Sequence, residues 1–254
     1  MIAAAGRLAV LSDVHGNAVA LEAVLREVAA EAPDVVVWGG DLTWGSLPAA
    51  TFRLVPSSRA PAIFVRGNAE RALSESAEKR RAGTDDDLSA RERWMLDRHS
   101  AEMLDWVRSF VDSAVVRIDG LGPVRFCHGS PRGDTELVTF ATPEARVRAF
   151  IKGVAETVLV TAHTHIQFDR DVAGIRSINP GSVGMPYEGR SGAAYWAMLG
   201  PGVELRQTAY DVDEAVRRYR ATDDPSVESM SEILLAPPTR DELVEDAEAR
   251  EFAD

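Results

Sequence analysis

The feature that most restricts the fold of this chain is a set of five short apolar segments, each followed within three residues by aspartate, asparagine or histidine. The junctions read SDVHGN (12–17), GGD (39–41), RGN (66–68), CHG (127–129) and AHTH (162–165). In open α/β sheets, ligands bind outside the carboxyl ends of the strands. Five successive strand ends that carry such side chains therefore predict one shared binding site.

The first 65 residues predict a parallel sheet. Residues 7–12, 34–38 and 61–65 are nearly continuous apolar runs, as expected of strands that are buried on both faces. A helix is predicted over residues 18–30, and a short helix is expected between the second and third strands. The apolar face of the first helix comprises Leu21, Val24, Leu25 and Val28. Strands that alternate with helices indicate a sheet covered by helices.

A different pattern follows a helical region. Ser89 and Glu92 form a capping-box pattern that predicts the start of a helix, with a break near Ser100. Beyond Ser113, six short runs predict strands of a second sheet, with its own helix near residues 143–153. The runs are AVVRI (114–118), VRFCH (124–128), TVLVTA (157–162), IRSIN (175–179), AAYWAML (193–199) and VELRQTA (203–209).

Composition restricts the environment of the protein. The single cysteine, Cys127, cannot form an intrachain disulfide, which fits a reducing compartment. The N-terminal segment lacks the basic leader of a signal peptide. No apolar run approaches the roughly 20 residues that a membrane span needs. We therefore expect a soluble, cytoplasmic protein with no membrane partner.

The formal charge of −12 is unevenly distributed. Residues 211–254 hold 14 acidic and 5 basic residues, a net charge of −9, which leaves −3 for residues 1–210. Neither part offers the basic stripe that binding of extended nucleic acid requires. The acidic tail predicts two or three short helices. It is either a solvated appendage or a cap over the binding site that restricts substrate size.

The residues at the strand ends are suited to binding metal ions. Four of the five histidines of the chain lie in these motifs. Oxygen and imidazole ligands without thiolate suit Mn, Fe, Zn, Ni or Co rather than a structural zinc site. Because seven ligands exceed the needs of one ion, we predict two ions, with Asp41 as the bridge. The candidate ligands are Asp13, His15, Asp41, Asn68, His128, His163 and His165.

In their order along residues 7–200, the motifs DVHG, GGD, GN, HG and AHTH resemble those of the calcineurin-like metallophosphoesterases. The run NPGSVGMP (179–186) is similar to the NPGS segment of the small bacterial and archaeal phosphodiesterase branch. The resemblance implies a four-layer α/β/β/α sandwich over residues 1–210, followed by a C-terminal helical appendage over 211–254. It also implies two divalent ions, manganese foremost. Their ligands would be Asp13, His15, Asp41 and His165 for one, and Asp41, Asn68, His128 and His163 for the other.

By the same resemblance, Asp41, Asn68 and His128 act in catalysis. A hydroxide that bridges two ions about 3.5–4 Å apart attacks the phosphorus in such sites. Where this chain has Gly67-Asn68-Ala69-Glu70, the family commonly has GNHE or GNHD, and that histidine is usually assigned to protonating the leaving group or binding phosphate. Ala69 can do neither. We therefore expect small phosphodiesters or dinucleoside polyphosphates, rather than unactivated monoesters, as substrates.

Two other functions are compatible with this fold. One is a protein serine/threonine phosphatase, which Ala69 and the lack of longer substrate-groove insertions disfavour. The other is a non-catalytic binding scaffold, because a subunit of the retromer sorting complex resembles this fold and has lost catalysis. The presence of all seven ligand positions favours the enzyme. The sequence leaves the physiological substrate, the native metal and the oligomeric state open.

Arginine suits bidentate recognition of phosphate oxygens. The candidates for contacts to a phosphate are Arg66, Arg71, Arg132 and Arg190.

Gly181 and Ser182 are expected to shape a turn that closes the site from below.

Several residues near the motifs have a structural and a functional interpretation. Asn17 is either a helix cap or a site residue, and Trp44 either belongs to the core or lines the substrate mouth. Asn68 itself could be an ordinary turn residue. His99 and Cys127 are predicted to be structural.

Overall fold

The strands observed in the computed structural model, which describes residues 4–250, follow the apolar runs of the sequence. For the strands that were predicted from apolar runs, the predicted and observed ends differ by three residues at most. The strands are β1 (Ala4–Ala5), β2 (Leu8–Leu11), β3 (Val35–Trp38), β4 (Ala62–Phe64), β5 (Ser113–Ile118), β6 (Gly122–Cys127), β7 (Val158–Val160), β8 (Gln167–Val172), β9 (Ile175–Pro180), β10 (Ala193–Leu199) and β11 (Val203–Ala209).

The helices begin largely where the sequence offers caps. Ser89 and Ser100 each accept a hydrogen bond from a backbone N–H of the first turn that follows, so the predicted break near Ser100 separates two helices. The helices are α1 (Ala18–Glu31), α2 (Pro48–Leu54), α3 (Asn68–Ala82), α4 (Ala90–Arg98), α5 (Ala101–Arg108), α6 (Glu144–Phe150), α7 (Val212–Arg220), α8 (Val227–Leu235) and α9 (Arg240–Ala249). Within residues 4–250, no helix is long and apolar enough to span a bilayer.

The strands form two sheets, of orders β11-β10-β2-β3-β4 and β1-β5-β6-β7-β9-β8. The prediction that all strands beyond Ser113 form the second sheet is wrong for β10 and β11. Strand β10 pairs antiparallel with β2, with Ala197 opposite Val10. All seven residues of β10 are buried, as expected of a strand with neighbours on both sides and layers on both faces. An apolar sequence predicts that a strand is buried, but it does not predict which strand will pair with it.

Side chains alternate between two apolar layers along the central strands. Leu8 and Val10 of β2 point into the core between the sheets, where they meet residues such as Phe126 of β6. Ala9 and Leu11 point outward to the apolar face of α1. On the far side, α6 packs against the second sheet through Val147. The predicted four-layer α/β/β/α sandwich is therefore confirmed.

Strand β8 was not predicted because its sequence, QFDRDV, is largely polar. Within residues 4–250 it lies at the edge of the second sheet and pairs only with β9, and its exposed side chains, Asp169 and Asp171, alternate with buried or half-buried ones such as Phe168. The predicted tail helices are α7, α8 and α9. Helix α7 packs against Val19 of α1 through Ala215 and Tyr219. The boundary at residue 210 stays a prediction.

Candidate metal centre

The structure brings the predicted ligands together where strands β2, β3, β4, β6 and β7 end. They form two groups in which the ligand atoms lie within 4.8 Å of one another, and Asn68 lies beside the second. The first group comprises Asp13, His15 and His165, and the second comprises Asp41, His128 and His163. These are the groups that the family resemblance implied, with Asp41 close to both.

The backbone at this site is held in an unusual conformation. Five of the eight non-glycine residues with positive φ in residues 4–250 are site residues, with φ between 46° and 64°. They are Asp13, His15, Asp41, His163 and His165. A left-handed conformation costs about 1–3 kcal/mol per residue and persists where surrounding contacts enforce it. Here the loops hold each other, because Asp13 N donates to Gly40 O and His15 N donates to Asp41 O, both at 2.9 Å.

Glycines allow these loops to approach closely. Gly40 has a φ of +99°, and a Cβ atom there would lie 2.7 Å from His128 Nδ1. A Cβ atom at Gly67 would lie 2.1 Å from Asp41 Oδ1. Gly40 and Gly67 are thus required by the close approach of ligand side chains.

Three imidazole rings are oriented by backbone carbonyl groups. The Nδ1 atoms of His15, His128 and His165 lie 3.2, 2.7 and 2.7 Å from the carbonyl oxygens of Trp44, Gly39 and Met185. Because a carbonyl oxygen only accepts, each Nδ1 carries a proton. Each Nε2 then faces the centre of the site. This arrangement is typical of histidines that bind metal ions through Nε2.

The first group of ligands fits a cation. The Nε2 atoms of His15 and His165 lie 3.1 Å apart, and His165 Nε2 lies 3.2 Å from Asp13 Oδ1. Asp13 Oδ1 is buried and has no hydrogen-bond partner among the described residues. A buried carboxylate oxygen without a donor and two lone pairs that face each other are both stabilised by a positive ion.

Asp41 joins the two groups. Its Oδ2 lies 3.6 Å from His15 Nε2, and its Oδ1 lies 3.5 Å from His128 Nε2. Asn68 starts helix α3, and its Oδ1 lies 3.1 Å from His128 Nε2. The asparagine that could have been an ordinary turn residue thus faces the second group of ligands.

The charges at the site depend strongly on one another. Burial by itself would raise the pKa of Asp41, but the neighbouring histidines, His128 foremost, hold it well below its usual range. For His128, Asp41 and Asp13 outweigh burial and raise the pKa to about 10. Burial and the repulsion of a neighbouring imidazole lower the pKa of His15 and of His163 to about 4. Without ions, positive charge on His128 therefore balances part of the charge of the aspartates.

Glu70 supports the site and was missed in the sequence. Its carboxylate is buried and accepts hydrogen bonds from Asp41 N, Leu42 N and Gly67 N at 2.8–2.9 Å. Burial, then the charge of Asp41, raises the pKa of Glu70 to about 7 against the opposing effect of these three donors. The available signal was its position, three residues after Gly67 at the start of α3, where an acidic residue commonly binds the backbone N–H of the cap.

The NPGS segment holds two ligand loops in place. Asn179 donates to Ala162 O at 2.9 Å, next to His163. Ser182 donates to Asp13 O at 2.7 Å, and Gly181 adopts a φ of +78° in the turn between them. The structure therefore places Gly181 and Ser182 under the site, as expected. No separate sequence pattern indicates the role of Asn179.

Two clefts meet the predicted ligands from different sides. The first, of about 370 Å³, is lined by His15, Asp41, Asn68, His163 and His165 together with residues of the tail helices. The second, of about 360 Å³, contains His128 and three of the four candidate arginines, Arg66, Arg71 and Arg132. The fourth, Arg190, lies apart and contacts Gln207 at 3.3 Å.

The arginines of the second cleft are already paired with acidic side chains. Arg66 bonds to Asp112, and Arg132 bonds to Glu136. Arg71 makes two hydrogen bonds to Asp134, at 2.7 and 3.1 Å. A phosphate oxygen would have to compete with these carboxylates, so the cleft does not form a strongly positive track.

The residues with two interpretations are mostly structural. Asn17 caps α1, because its Oδ1 accepts from Ala20 N at 3.1 Å. The ring of Trp44 packs against the apolar cluster of α3 and α4, while its carbonyl oxygen orients His15. His99 is buried between Met95 O and Thr43 Oγ1. Cys127 is buried, which raises the pKa of its thiol to about 12.

Two adjacent imidazole–carboxylate groups at the strand ends are suited to hold a pair of divalent ions, as in two-metal enzymes such as phosphatases and nucleases. The chain belongs to the calcineurin-like phosphoesterase superfamily, because the model of that domain matches residues 7–199, more than half of its length. No curated protein sequence is significantly similar to this chain.

Solved structures agree with this assignment. The metallophosphoesterase from Sphaerobacter thermophilus is 27% identical, with a TM-score of 0.70 over 91% of this chain and 99% of its own. The hypothetical protein PH1004 from Pyrococcus horikoshii OT3 is 16% identical, with a TM-score of 0.76 over 92% of this chain and 99% of its own. The second similarity shows the shared fold alone.

Proposed function

We propose that the protein hydrolyses small phosphodiesters at a site with two divalent metal ions. The observation that carries the proposal is the pair of ligand groups at the strand ends, with Asp41 within 3.6 Å of a histidine of each group. Dinucleoside polyphosphates are the second substrate class compatible with the missing histidine at position 69. The native ion is proposed to be manganese, with Fe, Zn, Ni and Co as the other ions that these ligands suit.

The side chains that would hold the ions fit that role. Asp13, His15 and His165 would hold one ion, and His128, His163 and Asn68 the other, with Asp41 shared. Two divalent ions in such a site generate the nucleophile from water and stabilise the entering and leaving oxygens of an in-line displacement.

The chain itself contributes order and charge. The carbonyl groups of Trp44, Gly39 and Met185 fix three imidazole rings, so the Nε2 atoms need no reorientation when an ion binds. Glu70 fixes the loop that carries Asp41. Four of the candidate ion ligands are buried and the other three are half-buried, which strengthens the electrostatic interactions within the site.

Charge favours a small substrate over a long one. The lining of the second cleft contains three arginines and two aspartates, and those arginines are paired with carboxylates. Two ions can attract one phosphate even in an acidic protein, because their positive charge dominates the electrostatic potential at the site. A nucleic acid strand would need a longer basic surface. We therefore propose a small phosphate-containing substrate and no extended nucleic acid.

The test combines metal content with hydrolysis of bis(p-nitrophenyl) phosphate by freshly purified protein. We expect about two ions per chain by elemental analysis, and hydrolysis that EDTA abolishes and manganese restores. Circular dichroism before and after chelation controls for unfolding. A folded protein with little metal and no hydrolysis would contradict the proposal and favour the non-catalytic scaffold.

Introducing histidine at position 69 tests the assignment of the diester preference. We expect Ala69→His to raise kcat/KM for an unactivated monoester such as glycerol 2-phosphate, whose alkoxide leaving group needs a proton, relative to bis(p-nitrophenyl) phosphate by about tenfold or more, because general acid catalysis contributes ~10²–10⁴-fold. Ala69 is 6% exposed, and its N–H donates to Asp41 Oδ1, so the side chain starts beside the site. Ala69→Phe, with a ring but no proton to donate, is the control. An unchanged ratio in Ala69→His would refute the role of this position.

A further inference from the structure

The first cleft forms an apolar chamber beside the predicted metal ligands. Its walls come from distant parts of the chain, and its volume, about 370 Å³, lies in the ~300–1,000 Å³ range of small-molecule sites. The apolar side chains are those of Leu137, Met185, Tyr187, Ile233, Pro238, Leu243 and Ala247. Four of these belong to the tail, so the tail forms a wall of the site rather than a separate appendage in solvent.

Helix α9 is fixed across the chamber at both ends. At its C-terminal end, Glu248 accepts hydrogen bonds from Thr139 Oγ1, Thr142 Oγ1 and Arg146, at 2.6–2.9 Å. At the other end, Arg240 bonds to Glu188 at 3.0 Å. Just before the helix, Gly189 N donates to Pro238 O at 2.9 Å. Leu243 therefore faces the chamber from a helix with defined position.

The charges of this wall disfavour an anion in the chamber. Helix α9 contains five acidic residues and one arginine. Two charged residues of the tail, Asp246 and Arg250, line the chamber. They form an ion pair with each other, with 2.6 Å between a guanidinium nitrogen and a carboxylate oxygen. A group without charge can enter such a space at lower cost than a second phosphate.

An aromatic surface lies between the chamber and the ligands. The ring of Tyr187 stacks on that of His165, with centroids 4.7 Å apart and planes 15° apart. Flat rings pack well against such surfaces and against aliphatic side chains.

We infer that this chamber binds an uncharged planar ring, of the size of a phenyl group or a nucleobase, carried by the phosphate ester. The inference rests on the proposed function, since the phosphate itself would lie at the ions. It assigns the tail helix α9 as the element that selects the substituent. Esters with a charged or very small substituent are then poorer ligands.

Binding of two non-hydrolysable probes tests the inference independently of turnover. Phenylphosphonate and methylphosphonate carry the same anionic group and differ in the substituent. In calorimetric titrations of the manganese-loaded protein, we expect phenylphosphonate to bind at least about tenfold more tightly, since the ring leaves water for an apolar wall. Leu243→Ala should narrow this ratio about threefold or more. Val244→Ala, on the same helix and half-buried but not lining the chamber, should leave it unchanged.

The outcomes separate the two proposals. Equal binding of both phosphonates to the wild-type protein, with metal-dependent diester hydrolysis intact, would overturn the assignment of the chamber and leave the phosphodiesterase standing. An equal loss of the ratio in Val244→Ala and Leu243→Ala would overturn the specific role of Leu243 in the wall. Failure of both probes to bind, without any hydrolysis, would remove the proposed function and the inference together. Circular dichroism of each variant excludes unfolding as the cause.

Discussion

Asp41→Asn is expected to lower kcat/KM for a phosphodiester by about a thousand-fold or more while the protein remains folded. Asp41 lies within 3.6 Å of a histidine of each ligand group, so the loss of its charge weakens the binding of both ions. Metal ions contribute several kcal/mol to stabilisation of the transition state, and each 1.36 kcal/mol changes the rate tenfold. Elemental analysis and steady-state kinetics measure the two effects.

The fold of Asp41→Asn should survive because asparagine has the same shape and its side-chain oxygen can still accept from Ala69 N. The substitution also removes a buried negative charge from the ion-free protein. Asp105→Asn, at an exposed position on α5, is the matched control and should retain full activity and metal content. Near wild-type turnover by a folded Asp41→Asn protein would show that Asp41 does not bridge the site.

Glu70→Ala should lower the free energy of unfolding by about 3 kcal/mol or more, which is the largest loss of stability expected among the proposed substitutions. The carboxylate is 2% exposed and accepts from three backbone N–H groups, which alanine would leave without partners. Each unsatisfied buried donor costs about 1–3 kcal/mol, and water that enters the space recovers part of this. Urea unfolding monitored by circular dichroism measures the difference.

Two further variants make this prediction specific. Glu70→Gln keeps one side-chain oxygen as an acceptor and should fall between the wild type and Glu70→Ala. Glu78→Ala, at an exposed site on the same helix, should change stability by no more than about 0.5 kcal/mol. If Glu70→Ala were as stable as Glu78→Ala, the three hydrogen bonds would not be what holds the Asp41 loop.

Most of the candidate site could be predicted because its ligands are coded locally. Each ligand lies within five residues of the end of a strand, and parallel strands bring their carboxyl ends to one edge of a sheet. The sequence could not show which sheet receives β10 and β11, because buried strands of both sheets have the same apolar pattern. Strand β8 was missed for the opposite reason, since an edge strand can carry polar side chains.

The sequence by itself determined the class of fold, the ligand types and their order, since these follow from strand periodicity and from the chemistry of residues at strand ends. Only the tertiary structure decided the support and the walls of the site. Glu70 finds its donors at Asp41 and Leu42, and Glu248 of α9 meets Thr139 more than a hundred residues away. Such contacts depend on how loops and helices meet after the sheets have formed. Local sequence patterns do not record partners that are distant along the chain.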